Sequence, residues 1–103
     1  MGSKQQRISE ERDDAWIGDA VLALYARTWI LENGHQFPQD KTELFRHMTS
    51  NQFLSALGQP TSVEAKIGVL YQESGYASAH DWMEEHILPL FLKQMHNRQP
   101  HRS

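Results

Sequence analysis

Ala15-Trp16-Ile17-Gly18-Asp19-Ala20-Val21-Leu22 is the stretch whose reading decides the fold. Trp16, Ala20 and Leu24 recur at intervals of four, with Ile17, Val21, Tyr25 and Trp29 beside them. That spacing predicts a helix with a wide apolar stripe, from about Asp13 to Glu32. Asp13 and Asp14 fall in its first turn, where negative charge suits the helix dipole. Asn33-Gly34 ends it, with Gly34 expected as a left-handed cap. Two residues sit oddly in this stripe. Asp19 has Ile17, Gly18, Ala20 and Val21 as its neighbours, and a carboxylate is costly to bury unless it is paired or binds a cation. Gly18 costs about 1 kcal/mol relative to Ala in a helix interior. Close approach by another backbone would account for it.

A counterpart lies further along. Glu64 is near the start of a later helix and Gly68 follows one turn on. A tight crossing at Gly18 and Gly68 would bring Asp19 and Glu64 together. Two carboxyl groups at one point repel unless they share a proton or hold a metal. Hard oxygen ligands without Cys or His favour Mg²⁺ or Mn²⁺. Structural roles stand beside this one. Thr61-Ser62-Val63-Glu64 has the form of a capping box, and Asp19 could pair with a Lys or Arg of another helix.

The rest of the chain is helical in pattern as well. Asp40-Lys41-Thr42-Glu43 reads as a capping box for a short helix carrying Leu44, Phe45 and Met48. A third helix follows from Ser50 or Asn51, with Phe53, Leu54 and Leu57, and Gly58-Gln59-Pro60 ends it. A fourth runs from Thr61 to about Glu73 with Val63, Ile67, Leu70 and Tyr71 facing inward. A last one starts at a capping box, Ser78 to Asp81, and Pro89 should break it near His86. No run alternates with period two. The expected fold is all-α, about five helices in a single domain over residues 12–95. Residues 1–11 and 96–103 are expected as flexible ends, with Met1-Gly2-Ser3 resembling a cloning remnant.

Composition narrows the function. The chain has 103 residues, 39 % hydrophobic and 22 % charged, which suits one modest core. No apolar run approaches the ~18 residues of a membrane span, and no signal peptide is read at the polar start. The absence of cysteine excludes disulfides, thiolate zinc sites and thiol catalysis, and fits a cytoplasmic location. The net charge of −3 argues against strong autonomous binding to nucleic acid. No phosphate loop, nucleophile elbow or H-E-x-x-H motif is present, and the single histidines lack ligand spacing. Glu84 and Glu85 read as a solvated face.

Two segments nevertheless resemble a known family. Ala15 to Leu22 resembles the signature helix of ribonuclease III domains, and Val63-Glu64-Ala65-Lys66-Ile67-Gly68-Val69-Leu70-Tyr71 resembles their second acidic motif. Between them, Thr49-Ser50-Asn51-Gln52-Phe53-Leu54 is similar to the family's S-N-x-x-L segment. Order and spacing agree over roughly residues 12–95. Of the family's acidic positions, Asp19 and Glu64 match. Ala15 and Thr61 stand where the family usually has Glu and Asp. Both departures are shared with the Mini-III branch, whose members are catalytic domains alone and mature ribosomal RNA.

The resemblance implies a metal-dependent endoribonuclease that cuts double-stranded RNA as a homodimer, with Mg²⁺ (or Mn²⁺) on Asp19 and Glu64 as the catalytic and metal-binding pair. It places Asn51 and Thr61 around that pair. It also makes Trp16 an aromatic plug in the dimer interface. The Mini-III branch carries a long basic insertion before the second motif, whereas Leu57-Gly58-Gln59-Pro60-Thr61 is short and neutral. Phosphate contacts then fall to scattered cations, chiefly Arg12, Arg27, Arg46 and Lys66, with Arg7 and Lys41, and RNA binding is expected to be weak. Neither a membrane nor a small-molecule substrate is expected. The alternative is a non-catalytic RNA-binding or ribosome-associated protein that keeps the fold.

Overall fold

The three-and-four spacing of the sequence becomes helix along nearly the whole chain. The computed structural model describes the backbone of residues 3–98 and the side chains of 9–97. The α-helices are α1 (Ser3–Asn33), α2 (Lys41–Thr49), α3 (Asn51–Leu54), α4 (Pro60–Ser74), α5 (Tyr76–His86) and α6 (Leu88–Arg98). A 3-10 turn, Gly34–Gln36, follows α1. No strand occurs among the described residues. No helix among them is long and apolar enough to cross a membrane.

α1 starts well before Asp13. Residues 4–12 carry no Gly or Pro and are rich in Gln, Arg, Glu and Lys, which favour helix without any apolar period. Helix likewise continues to Arg98, past the boundary expected at 95. Met1, Gly2 and residues 99–103, including His101, lie outside the described residues.

Local chemistry sets most other boundaries. Asp40 and Glu43 form the expected capping box, with Glu43 N–H donating to Asp40 Oδ1 at 2.9 Å. Ser50 Oγ accepts from Phe53 N–H at 3.0 Å and starts α3. Gly75, at φ 88°, ends α4 and leads directly into α5. The last helix is divided at Ile87, next to His86 where the break was expected, because Pro89 can donate no backbone hydrogen bond and is tolerated in a helix's first turn.

Other starts and stops differ from expectation: α3 ends at Leu54, before Leu57 and the stop expected at Gly58. Gly34 is not left-handed; it is buried against Ile30 and Leu44 and opens the 3-10 turn. α4 begins at Pro60, and its cap is Gln59, whose Oε1 accepts from Ser62 N–H at 3.1 Å. α5 begins at Tyr76, two residues before the expected capping box at Ser78.

α1 packs against α2, α4, α5 and the 3-10 turn. Its inner face supplies Leu22, Tyr25, Ala26 and Ile30 to a core completed by Met48, Phe53, Ile67, Met83, Ile87 and Phe91. Phe91 meets Trp29, Phe37, His47 and Phe53 near edge-on, with ring centroids 5.6–6.3 Å apart. Such pairs add ~0.5–1.5 kcal/mol each beyond the area they bury. Tyr71, expected inside, is 43 % exposed.

Candidate functional site

α1 and α4 touch backbone to backbone. A Cβ on Gly18 would collide with the carbonyl of Glu64, and one on Gly68 with the carbonyl of Asp14. These two glycines therefore do what their cost in a helix implied: they let the helices close without side chains between them. Polar bonds flank the crossing. Gln72 Nε2 donates to Asp14 Oδ1 at 3.0 Å, and Ser62 Oγ donates to Glu11 Oε2 at 2.8 Å.

The closeness of this crossing brings Asp19 and Glu64 together. Asp19 is exposed on α1, and Glu64 is half-buried on α4. Their carboxyl groups are hydrogen bonded. Burial, then the charge of Asp19, then that bond push the Glu64 carboxyl up to about 7. The Glu64 carboxyl thus keeps its proton up to about pH 7. This is a general solution for two carboxyls that cannot both ionise in contact.

The capping role considered for Glu64 does not occur. Gln59 caps α4, and Glu64 lies in the helix's second turn. Among the described residues no ion pair ties Asp19 to a Lys or Arg, and no group of three acidic or imidazole side chains is placed to hold a metal. The pair alone nonetheless suits Mg²⁺ or Mn²⁺, which commonly bind through one or two carboxylates and keep several waters. Thr61 is half-buried one turn before Glu64, and Asn51 is exposed at the start of α3. Neither side chain hydrogen bonds to the two acids.

The candidate cations do not gather at one place. Arg12 and Lys66 are exposed on α1 and α4. Arg27 lies over the Phe45 ring, 4.6 Å from its centroid, and lines a hollow with Ile30, Leu31, Lys41 and Thr42. Arg46 lines a different hollow, beside Gln39 and His47. Trp16 lies outside the core and is 78 % exposed.

Glu84 departs from the solvated role expected of it. The phenol of buried Tyr25 donates to its Oε2 at 2.7 Å, and the His80 ring packs edge-on against Tyr25. Burial and the adjacent Glu84 hold the Tyr25 phenol protonated, far above its ordinary range. A signal for this exists in the sequence: a Tyr on the inner face of a helix needs a partner for its hydroxyl.

Protein-family models, curated proteins and solved structures contain no match to this chain.

Proposed function

We propose that the protein is a metal-dependent endoribonuclease of ribonuclease III type, acting on double-stranded RNA as a homodimer. The observation that carries this reading is the hydrogen-bonded Asp19–Glu64 pair at the Gly18–Gly68 crossing. Fixed backbones present two acids at one point, at a cost in repulsion and burial, and no structural role of either acid offsets that cost. Asp19 and Glu64 would hold Mg²⁺ or Mn²⁺, which when bound supplies positive charge at a scissile phosphate and makes an attacking water more acidic. The side chains contribute the negative charge, and the crossing holds the two backbones that carry them close together. The substrate is a folded RNA duplex; ribosomal RNA is the case the resemblance favours.

The outer face of α1 supports the dimer. Trp16, Ala20, Leu24, Arg27 and Leu31 fall within about 80° of the helix circumference. Trp16, Leu24 and Leu31 are 78 %, 51 % and 68 % exposed, a long apolar face for a small chain. Two copies laid antiparallel about Ala23 and Leu24 would set each Trp16 near Leu31 of the other, and Asp19 at the edge of the seam. Two sites facing one duplex is the arrangement a double-strand cut requires.

The decisive experiment is cleavage of a long duplex RNA in Mg²⁺, with and without EDTA. Cleavage that needs the ion and is lost in Asp19→Asn supports the proposal; an intact duplex overturns it. The pair's lack of a third ligating side chain among the described residues favours one other reading, an RNA-binding protein that does not cut. Duplex binding without cleavage, unchanged by Glu64→Gln, would identify that case.

A further inference from the structure

We infer that His80 and Glu84, one turn apart on α5, bind a divalent ion of the zinc type, through His80 Nε2 and the Glu84 carboxylate. Nε2 lies 3.9 Å from Glu84 Oε2. Two ligands of one tetrahedral zinc ion, with bonds of ~2.1 Å, stand roughly 3.4 Å apart, so a side-chain movement of about 0.5 Å closes the site. An octahedral magnesium ion would need its neighbouring ligands nearer still, at roughly 3.0 Å, and prefers oxygen to imidazole. The two side chains are 42 % and 40 % exposed, so an ion reaches them from solvent and water fills its other positions.

Each member of this pair is held from behind, which an ordinary surface pair is not. The phenol of Tyr25, buried on α1, donates to Glu84 Oε2 at 2.7 Å and restrains the carboxylate. An ionised carboxylate has about four lone-pair sites, so that bond leaves Glu84 able to ligate. The His80 ring packs edge-on against Tyr25 and tilted against Tyr76, with centroids 5.4 and 5.9 Å away. Its Nδ1 lies 3.6 Å from Asp81 Oδ1. Negative charge there favours the tautomer with the proton on Nδ1, which leaves the Nε2 lone pair for a metal. Histidine and carboxylate ligands are commonly oriented by partners of this kind. No Lys or Arg forms an ion pair with Asp81 or Glu84 among the described residues, so a cation is not already in place.

In the sequence His80 has no second histidine at ligand spacing, and Glu84 reads as a solvated acid. The interval of four puts them on one face of α5. His47 also has a glutamate one turn away, but its Nε2 is hydrogen bonded to Gln94 Oε1 at 2.8 Å, and Glu43 accepts from Asp40 N–H. The His80–Glu84 pair shares no residue with Asp19 and Glu64 and stands whether or not those acids cut RNA.

The test is titration of the full chain with Zn²⁺, and separately with Mg²⁺, at pH 7 in a non-chelating buffer, read by NMR of the imidazole C–H signals. Zn²⁺ should shift the His80 signals saturably at submillimolar concentration, and Mg²⁺ should leave them in place. Glu84→Gln keeps an oxygen for the Tyr25 phenol, so the fold should hold, while Zn²⁺ binding at His80 should weaken at least tenfold. No saturable shift of His80 with Zn²⁺ overturns the proposal. So does an equal shift with Mg²⁺, or an unchanged Zn²⁺ affinity in Glu84→Gln, which would mark a lone imidazole taking up zinc adventitiously.

Discussion

Asp19→Asn should make the protein more stable at pH 8 and useless as a metal site. In the folded chain Glu64 titrates near 7 rather than its ordinary 4.5. A carboxyl whose pKa is raised by folding holds a proton that the unfolded chain has lost. Stability therefore falls as pH rises from about 4.5 to about 7, and stays lower above that. At ~1.4 kcal/mol per unit the full shift would be worth ~3 kcal/mol, and partial exposure of Glu64 reduces this to ~1–2 kcal/mol. Burial is the largest cause and survives the substitution; the charge of Asp19 and its bond do not. The introduced amide would offer an N–H to the ionised Glu64 in their place. The expected gain at pH 8 is ~1 kcal/mol, or roughly 4–8 °C in melting temperature for a domain of this size. At pH 4.5, with Glu64 protonated in both chains, the difference should shrink or reverse. Thermal melts of both proteins at the two pH values, compared as differences so that the histidines cancel, measure it. Millimolar Mn²⁺ should raise the melting temperature of the wild type at pH 8 and leave that of Asp19→Asn where it is. A variant that is less stable than wild type at pH 8, or a gap that does not depend on pH, would refute the coupling of the two acids.

Gly18→Ala or Gly68→Ala pushes a methyl into a backbone carbonyl that cannot rotate away, and each should cost about 3 kcal/mol or more in chemical denaturation. Glu64→Gln should abolish Mg²⁺-dependent cleavage while raising stability at pH 8; cleavage at the wild-type rate would remove Glu64 from the site. Trp16→Ala should convert a sedimenting dimer to a folded monomer, because a side chain this exposed in the single chain contributes little to its core, while interface tryptophans commonly carry ~2 kcal/mol or more. Tyr25→Phe should cost about 1–2 kcal/mol by urea melting, from the lost bond to Glu84.

Much of the fold is legible in local chemistry. The Asp40–Glu43 box, the Ser50 cap and the break at Pro89 each rest on a side chain or ring acting within four residues of itself, which a sequence displays directly. The Gly18–Gly68 contact is legible for a different reason: a helix tolerates glycine at a cost, so two such costs invite a common explanation. What escapes the sequence is decided by competition between neighbouring signals or by distance. Gln59 and Thr61 both offer a cap to the start of α4, and Pro60, suited to the first helical position, decides for Gln59. The stripe on α1 is wider than one core can cover. Ile17, Val21 and Tyr25 turn inward and leave Trp16 and Leu24 outside, a choice made by where α4 and α5 lie. The Tyr25–Glu84 bond spans 59 residues, and no local pattern encodes it.

The capping question bears directly on the site. Had Glu64 closed a box with Thr61, its carboxylate would have satisfied a backbone N–H, and its position would have needed no other reason. With Gln59 in that place, Glu64 stands in the second turn, half-buried, hydrogen bonded to a second acid, with its proton held near neutral pH. Half-burial beside a second acid lowers stability where most proteins work, and Glu64→Gln or Asp19→Asn would relieve it with the same shape. The two glycines compound the cost, since alanine is the better helix former at any position where it fits. Two glycines and a half-buried acid beside Asp19 therefore meet at one crossing, and on the proposed reading that is where the two carboxyls would hold a metal. Stabilising substitutions are easy to find where a site is strained for function, and they remove the function they relieve. That is why stability at pH 8 and loss of cleavage should move together in Asp19→Asn and Glu64→Gln, and a variant that separates them would show the crossing to be packing alone.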